Sequence, residues 1–278
     1  MRPDAVLIVD WSAAARPTPP RPSADAIWIG RADARGVTAR YHRTRADAMA
    51  ALSSSIDAAV AAGQRLLIGA DFPFGYPAGF ARALTGRDGA LAVWDWLAAQ
   101  VEDGPDNASN RFALAAAINA RLPGIGPFWG RPAGLALPDL PDRGTLRHGH
   151  GMTERRMVER RLPRAQPVWK LYTTGSVGSQ AILGIAALAR LRAAYPGRIA
   201  VWPFEDWRAA PVVLAEVWPS LLDGAVRAAI AGGAGPVKDA VQVTVLASHL
   251  YGRDLGPILA PDAPAETLVE EGWILGAP

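Results

Sequence analysis

The chain of 278 residues contains no cysteine. This absence excludes disulfide bonds, thiolate zinc sites, iron–sulfur clusters and a cysteine nucleophile. Histidine is also scarce, with only four residues. A metal site in this protein would therefore depend mainly on carboxylate oxygens, which favour hard cations.

Long hydrophobic runs are also missing. Residues 5–9 form an apolar run that ends at Asp10. This run is too short for the core of a signal peptide or for the roughly 18 to 20 apolar residues that a membrane span needs. Half of the residues are nevertheless hydrophobic, which is enough to bury a sizeable core. We therefore expect a globular cytoplasmic protein that does not enter the membrane.

The formal net charge of +3 is unevenly distributed. Residues 143–170 contain eight basic side chains against Glu154 and Glu159, a net charge of +6, so the rest of the chain is slightly acidic. Such a basic segment could follow the backbone of a nucleic acid. It could equally be a solvated helical face on which arginines pair with the two glutamates.

The order of apolar segments predicts an α/β fold. A strand–helix–strand alternation favours parallel pairing and an early hairpin favours antiparallel pairing, so we expect a mixed sheet with helices on both faces. Strands are predicted at residues 5–9, 25–31, 37–43, 65–70, 199–202 and 211–217, and helices at 44–63, 176–195 and after Gly235-Pro236.

Residues 76–170 differ in character from the segments on either side. They contain helical fragments at 90–101 and 110–121, joined by connections rich in glycine and proline. We interpret this stretch as a long, mainly helical insertion without a sheet of its own. The chain is thus predicted to form a single domain over residues 1–278.

Four carboxylates stand out by their positions. Asp10 and Asp71 each end a buried strand, and adjacent parallel strands would bring both to one edge of the sheet. Glu216 lies within an apolar strand, where an ionised side chain is costly to bury without a cation or donor beside it. Asp239 falls in the first turn of the helix after Gly235-Pro236. Alternatively, the two strand-end aspartates cap turns, Glu216 faces water from an edge strand, and Asp239 only complements a helix dipole.

Convergence of these four side chains would require cations to offset their repulsion. Oxygen ligands in a chain with no cysteine and few histidines select Mg²⁺ or Mn²⁺. Two such ions can activate a water molecule and stabilise the leaving oxygen during phosphodiester cleavage.

A stretch rich in glycine, serine and threonine runs from Lys170 to Ser179 and leads into a helix. Free backbone N–H groups at such a helix start can hold a phosphate. The candidate phosphate- or substrate-binding residues are Lys170, Thr174, Ser176, Arg155 and Arg156. A simple helix cap at Ser176, with no ligand, would explain the same residues.

Several short motifs resemble the uncharacterised predicted nucleases of the ribonuclease H-like superfold. They are Val9-Asp10-Trp11-Ser12, Gly69-Ala70-Asp71-Phe72-Pro73-Phe74-Gly75, Ala215-Glu216-Val217-Trp218-Pro219 and Lys238-Asp239-Ala240. The resemblance implies a ribonuclease H-like fold. It also implies a metal-dependent nuclease in which Asp10, Asp71, Glu216 and Asp239 bind the metal.

We therefore expect a nuclease that uses Mg²⁺ or Mn²⁺ and contacts nucleic acid through residues 143–170. Two other functions remain open. An actin-like phosphotransferase or ATPase would need glycine-rich loops after Asp10 and Asp71, where Trp11 and Phe72-Pro73 stand instead. A non-catalytic protein of the same fold could bind nucleic acid or a partner without cleaving anything.

Overall fold

A computed structural model describes residues 1–278 and contains one mixed sheet of six strands in the order β3-β2-β1-β4-β6-β5. Strands β1, β2 and β3 pair antiparallel, whereas β1, β4, β6 and β5 pair parallel. The predicted α/β fold with a mixed sheet is thereby confirmed. The strands are β1 (Ala5–Asp10), β2 (Ile27–Asp33), β3 (Gly36–His42), β4 (Leu66–Ala70), β5 (Ile199–Val201) and β6 (Val212–Glu216).

Nine α-helices accompany the sheet, and none of them is long and apolar enough to cross a membrane. Short 3₁₀ turns occur at residues 144–146, 219–222 and 257–259. The helices are α1 (Arg45–Ala61), α2 (Phe80–Thr85), α3 (Ala90–Gln100), α4 (Arg111–Asn119), α5 (Met157–Arg161), α6 (Gly178–Ala194), α7 (Asp223–Ala231), α8 (Lys238–Leu250) and α9 (Ala265–Glu271).

Two helix starts illustrate how the local sequence sets the elements. The Thr44 side chain accepts a hydrogen bond from the Asp47 backbone N–H, so it caps α1. Helix α6 begins later than expected, because its N-cap is Val177 and no side chain caps it. The expectation that Ser176 is the N-cap is therefore wrong.

The strands separate two apolar cores. Side chains alternate between the two cores along each strand. Leu7 of β1 and its neighbour across the sheet, Ile68 of β4, face one core, which also contains buried residues of α1 and α6. Their neighbours Val6 and Ile8 face the other core, together with buried residues of α8. Helices thus cover both faces of the sheet, as predicted. Residues 76–170 contain α2 to α5 and add no strand to the six-stranded sheet.

Helix α8 lies unusually close to β2 because a glycine faces it. A Cβ atom added at Gly30 would lie 2.5 Å from both the carbonyl carbon and the carbonyl oxygen of Val243. Real Cβ atoms do not approach backbone so closely, so only glycine allows this packing. Since Asp239 is in the first turn of α8, this contact also sets the position of that carboxylate relative to the sheet.

The substitution Gly30→Ala should therefore push α8 away from the sheet. We expect a loss of about 1–3 kcal/mol in the free energy of unfolding, which is typical of overpacking, measured by urea denaturation. Gly224→Ala on α7 is the matched control, because its added Cβ would meet nothing within 4 Å. Alanine is the better helix former, so the control should be neutral or slightly stabilising. Equal stabilities for the two variants would contradict this account of the packing.

Candidate functional site

Asp10 and Asp71 lie side by side at one edge of the sheet. Strand β1 pairs with β4 in parallel, with Val9 opposite Ala70, so the next residue along each strand is a neighbouring aspartate. Val9 and Ala70 contribute to the core of α1 and α6, so both aspartates point to the α8 face. The Trp11 backbone N–H donates to Asp71 Oδ1 at 2.8 Å, and the two carboxyl groups are within hydrogen-bonding reach of each other.

Two further aspartates complete an acidic cavity of about 340 Å³. Asp239 extends from α8, and its Oδ2 accepts a hydrogen bond of 2.9 Å from the Asp25 backbone N–H. Asp25 itself precedes β2 and has a positive φ of 56°. We call this space the acidic cavity; its lining includes Asp10, Asp25, Asp71, Asp239, Gln180, Trp218 and Gln242.

The acidic cavity has no positive side chain to balance its carboxylates, because no lysine, arginine or histidine lines it. Burial, followed by the negative charges of Asp71 and Asp239, raises the pKa of Asp10 well above its usual range. Burial also raises the pKa of Asp71 to about 6, although the Trp11 N–H acts in the opposite direction. The cavity therefore favours binding of a positive charge.

The carboxylates of the acidic cavity suit a cation that keeps several water or substrate ligands better than a cation that protein side chains enclose completely. No group of three or more histidine, cysteine, aspartate or glutamate side chains is arranged so that it could hold a metal ion. Mg²⁺ in proteins is commonly held by one or two carboxylates, with waters and substrate phosphates as the remaining ligands. The adjacent Asp10 and Asp71 provide such a pair, and Asp239 is close enough to add negative charge.

Glu216 does not belong to the acidic cavity, which corrects the expectation that it joins the other three carboxylates. Strand β6 places Glu216 opposite Ala70, so Val217 is the residue level with Asp71. Glu216 therefore points to the opposite face of the sheet. Both of its carboxylate oxygens accept hydrogen bonds from Arg156, at 2.6 and 2.8 Å, and the Phe74 N–H donates to Oε2 at 2.9 Å. The cation that the buried Glu216 requires is thus an arginine.

Arg156 is the centre of a buried ion cluster, and this corrects its prediction as a phosphate-binding residue. Its Nε donates to Glu159 Oε1 at 2.7 Å and its Nη1 to the Glu271 carbonyl oxygen at 3.0 Å, in addition to the Glu216 bonds. Only 1% of Arg156 is exposed, so it offers nothing to a ligand. The cluster joins α5, β6 and α9.

Removing the arginine should leave buried glutamates without their cation. We expect Arg156→Met to lower the free energy of unfolding by about 3–5 kcal/mol, as for other buried pairs that lose one partner. The control is Arg160→Met, because Arg160 is exposed and the one hydrogen bond of its side chain is a long 3.4 Å contact with the Arg155 carbonyl. A change within about 0.5 kcal/mol is expected there. Urea denaturation of both variants measures this difference. Equal losses in the free energy of unfolding would contradict the stabilising role of the buried ion cluster.

The other predicted phosphate-binding residues also have internal partners, and only Ser176 lies at a cavity. Lys170 Nζ donates to the Thr174 carbonyl at 2.6 Å, and Arg155 Nη1 donates to the Ala165 carbonyl at 2.6 Å. Lys170, Thr174, Arg155 and Arg156 line neither the acidic cavity nor the cavity next to it. Ser176 lines that neighbouring cavity.

This second cavity, of about 400 Å³, lies between the loop after β1 and the start of α6. Gln180 lines both cavities, and its Nε2 donates to the Trp11 carbonyl at 2.9 Å. The two cavities are therefore adjacent. The second cavity is lined by Ala13, Ala14, Ala15, Arg111, Leu171, Tyr172, Thr173, Ser176, Ser179 and Gln180.

The loop between the two cavities is held by Arg45, whose side chain is buried. Arg45 Nη1 donates to the carbonyl oxygens of Ser12 and Ala14, at 3.2 and 2.8 Å. Its Nε and Nη2 bind both carboxylate oxygens of Asp103, at 2.7 and 2.6 Å. The start of α1 thereby connects the strand-end loop to residues 76–170.

Sequence reasoning missed three residues of this region. Asp25 could have been found, because a strand antiparallel to β1 begins at the edge where β1 ends. Arg45 and Arg111 are single arginines at helix starts, and no sequence signal separates them from surface arginines.

Three of the eight basic side chains in the basic segment 143–170 form ion pairs. Arg147 pairs with Glu154 and Arg164 with Asp223, in addition to the Arg156 cluster. The other five basic side chains have no carboxylate partner, and a nucleic-acid partner stays a prediction.

Comparison with known proteins gave no relatives. No family model matches the chain, and no curated protein or solved structure shows significant similarity to it.

Proposed function

We propose that the protein is a metal-dependent phosphodiester hydrolase, that is, a nuclease, with a ribonuclease H-like fold. The observation that carries this proposal is the acidic cavity, where four aspartates gather without a basic side chain. An antiparallel hairpin on one side of β1 and parallel strands on the other support the fold. So does the position of Asp10 and Asp71 at the ends of neighbouring parallel strands.

Asp10 and Asp71 would bind the cation, Mg²⁺ or Mn²⁺, and Asp239 would add negative charge. Such an ion supplies a Lewis acid and lowers the pKa of a bound water. The Trp11 N–H orients Asp71 and the Asp25 N–H orients Asp239, so both carboxylates are positioned by backbone donors. Glu216 has no place in this set, because Arg156 already occupies both of its oxygens.

Replacing Asp71 should stabilise the metal-free protein. The pKa of Asp71 is about 6 in the folded chain against an ordinary 3.8, so its ionisation costs stability as the pH rises from about 4 to 6. Asp71→Asn should therefore have a higher Tm than the wild type in chelator at pH 7.5, and the difference should vanish below about pH 4. Thermal unfolding across this pH range measures it.

The same unfolding assay tests metal binding. Mn²⁺ should raise the Tm of the wild type and leave that of Asp71→Asn nearly unchanged, because a ligand stabilises only the state that binds it. Asp142→Asn serves as the control, since Asp142 is exposed and lies outside the acidic cavity. Equal Mn²⁺ stabilisation of all three proteins would place the metal elsewhere and contradict the proposal.

Cleavage of RNA, DNA and hybrid oligonucleotides with Mn²⁺ tests the activity itself. Even loss of an outer-shell partner costs about 10–100-fold, so Asp10→Asn and Asp71→Asn should each lose about 100-fold or more in kcat/KM. Asp142→Asn should keep the wild-type rate. Glu216→Gln should lose stability but retain most of the specific activity of its folded fraction. If the wild type cleaves no faster than Asp10→Asn, the protein is not a nuclease of this kind.

A further inference from the structure

The start of α6 leaves two backbone donors unused. The Gly178 N–H donates to the Lys170 carbonyl and the Ala181 N–H to the Val177 carbonyl, each at 2.9 Å, but the N–H groups of Ser179 and Gln180 have no acceptor. Helix α6 has 17 residues, so its first turn also carries the positive end of a substantial dipole. Ser176, Ser179 and Gln180 place this helix end at the wall of the second cavity.

Arg111 lines the same cavity and has no carboxylate partner of its own, although its guanidinium lies over the Phe112 ring, 4.5 Å from the ring centroid. Only 8% of this residue is exposed, yet its Nη1 donates only to the Ser109 hydroxyl, at 2.8 Å, and its Nε has no acceptor. The nearby Asp103 compensates the charge only in part, because Arg45 lies close to Arg111 and binds both carboxylate oxygens of Asp103. A buried positive charge without a counter-ion of its own is costly. An anion in the cavity would remove that cost.

We propose that the second cavity binds a phosphate group of the substrate, beside the phosphodiester that is cleaved at the acidic cavity. Arg111 and the free N–H groups of α6 hold this phosphate, and no acidic residue lines the cavity to oppose it. The anion site depends only on these groups. Gln180 and the loop after Trp11 connect the two cavities, so a substrate bound at the acidic cavity could extend into the second one. The assignment of the phosphate to the substrate therefore rests on the proposed function.

Inorganic phosphate, titrated into the metal-free protein, tests the anion site directly. Phosphate should raise the Tm of the wild type, and Arg111→Met should weaken its affinity about tenfold or more, as expected for loss of a charge-assisted contact. Without phosphate, Arg111→Met should be as stable as the wild type or more so, because the substitution removes a buried charge that is only partly compensated. The control is Arg121→Met. Arg121 is exposed and lies just beyond α4, the helix that begins at Arg111, so this variant should bind phosphate normally.

A second variant, Ser176→Asp, alters the cavity wall that the start of α6 forms. Ser176→Asp places a carboxylate next to the α6 start, where negative charge is tolerated or favoured, so this variant should fold well. It should nevertheless lose phosphate binding by repulsion. The proposal is overturned if phosphate stabilises both variants as much as the wild type. It is also overturned if Arg111→Met is strongly destabilised while Ser176→Asp still binds phosphate, because Arg111 would then be a structural residue.

Two comparisons separate this inference from the nuclease proposal. Asp71→Asn should lose the Tm increase with Mn²⁺ and keep the Tm increase with phosphate, whereas Arg111→Met should do the opposite.

The second comparison measures cleavage. A dinucleotide with a second, terminal phosphate should have a lower KM than the same dinucleotide without it, and Arg111→Met should abolish that preference. Active wild-type enzyme without such a preference would overturn the link between the cavities. Absence of any cleavage, with phosphate binding intact, would overturn the nuclease proposal and the link to substrate, but not the anion site.

Discussion

The alternation of side chains along the strands is the constraint that organises this molecule. In a strand, a shift of one residue moves a side chain to the other face of the sheet. The pairing of β1 with β4 therefore places Asp10 and Asp71 together on the α8 face, whereas the pairing of β4 with β6 turns Glu216 to the opposite face. Carboxylates that end neighbouring strands thus enter two different environments.

These two environments have opposite electrostatics. Glu216 meets Arg156 and forms a buried ion pair with complete hydrogen bonding. Asp10 and Asp71 lie beside other carboxylates and no basic side chain, and their pKa values rise, mainly because both groups are buried. The first arrangement stabilises the fold, and the second costs stability. Such unfavourable charge in a cavity is more typical of functional sites than of structural ones.

Two of the three buried arginines, Arg156 and Arg111, show the same contrast. Arg156 bonds to side-chain or backbone oxygens of three glutamates, and Arg111 bonds to one hydroxyl. The local sequence does not separate them, because each has a polar neighbour within three residues, Glu159 for Arg156 and Ser109 for Arg111. The difference comes from Glu216 and Glu271, which are distant along the chain. The strands were predictable, since β1, β4 and β6 are apolar runs buried on both faces. Asp10, Asp71 and Asp239 could be predicted to converge from the expected parallel order. The face of Glu216 could not, because it depends on a strand register that no local residue specifies.

Arg45 has a further consequence for ligand binding. Its bonds to Ser12, Ala14 and Asp103 fix the loop between the two cavities before any ligand arrives. A ligand that contacts this loop therefore loses little affinity to ordering of the backbone, because that conformational entropy was already lost on folding. Association at this surface should accordingly be limited by diffusion and orientation, and not by a slow rearrangement of the loop.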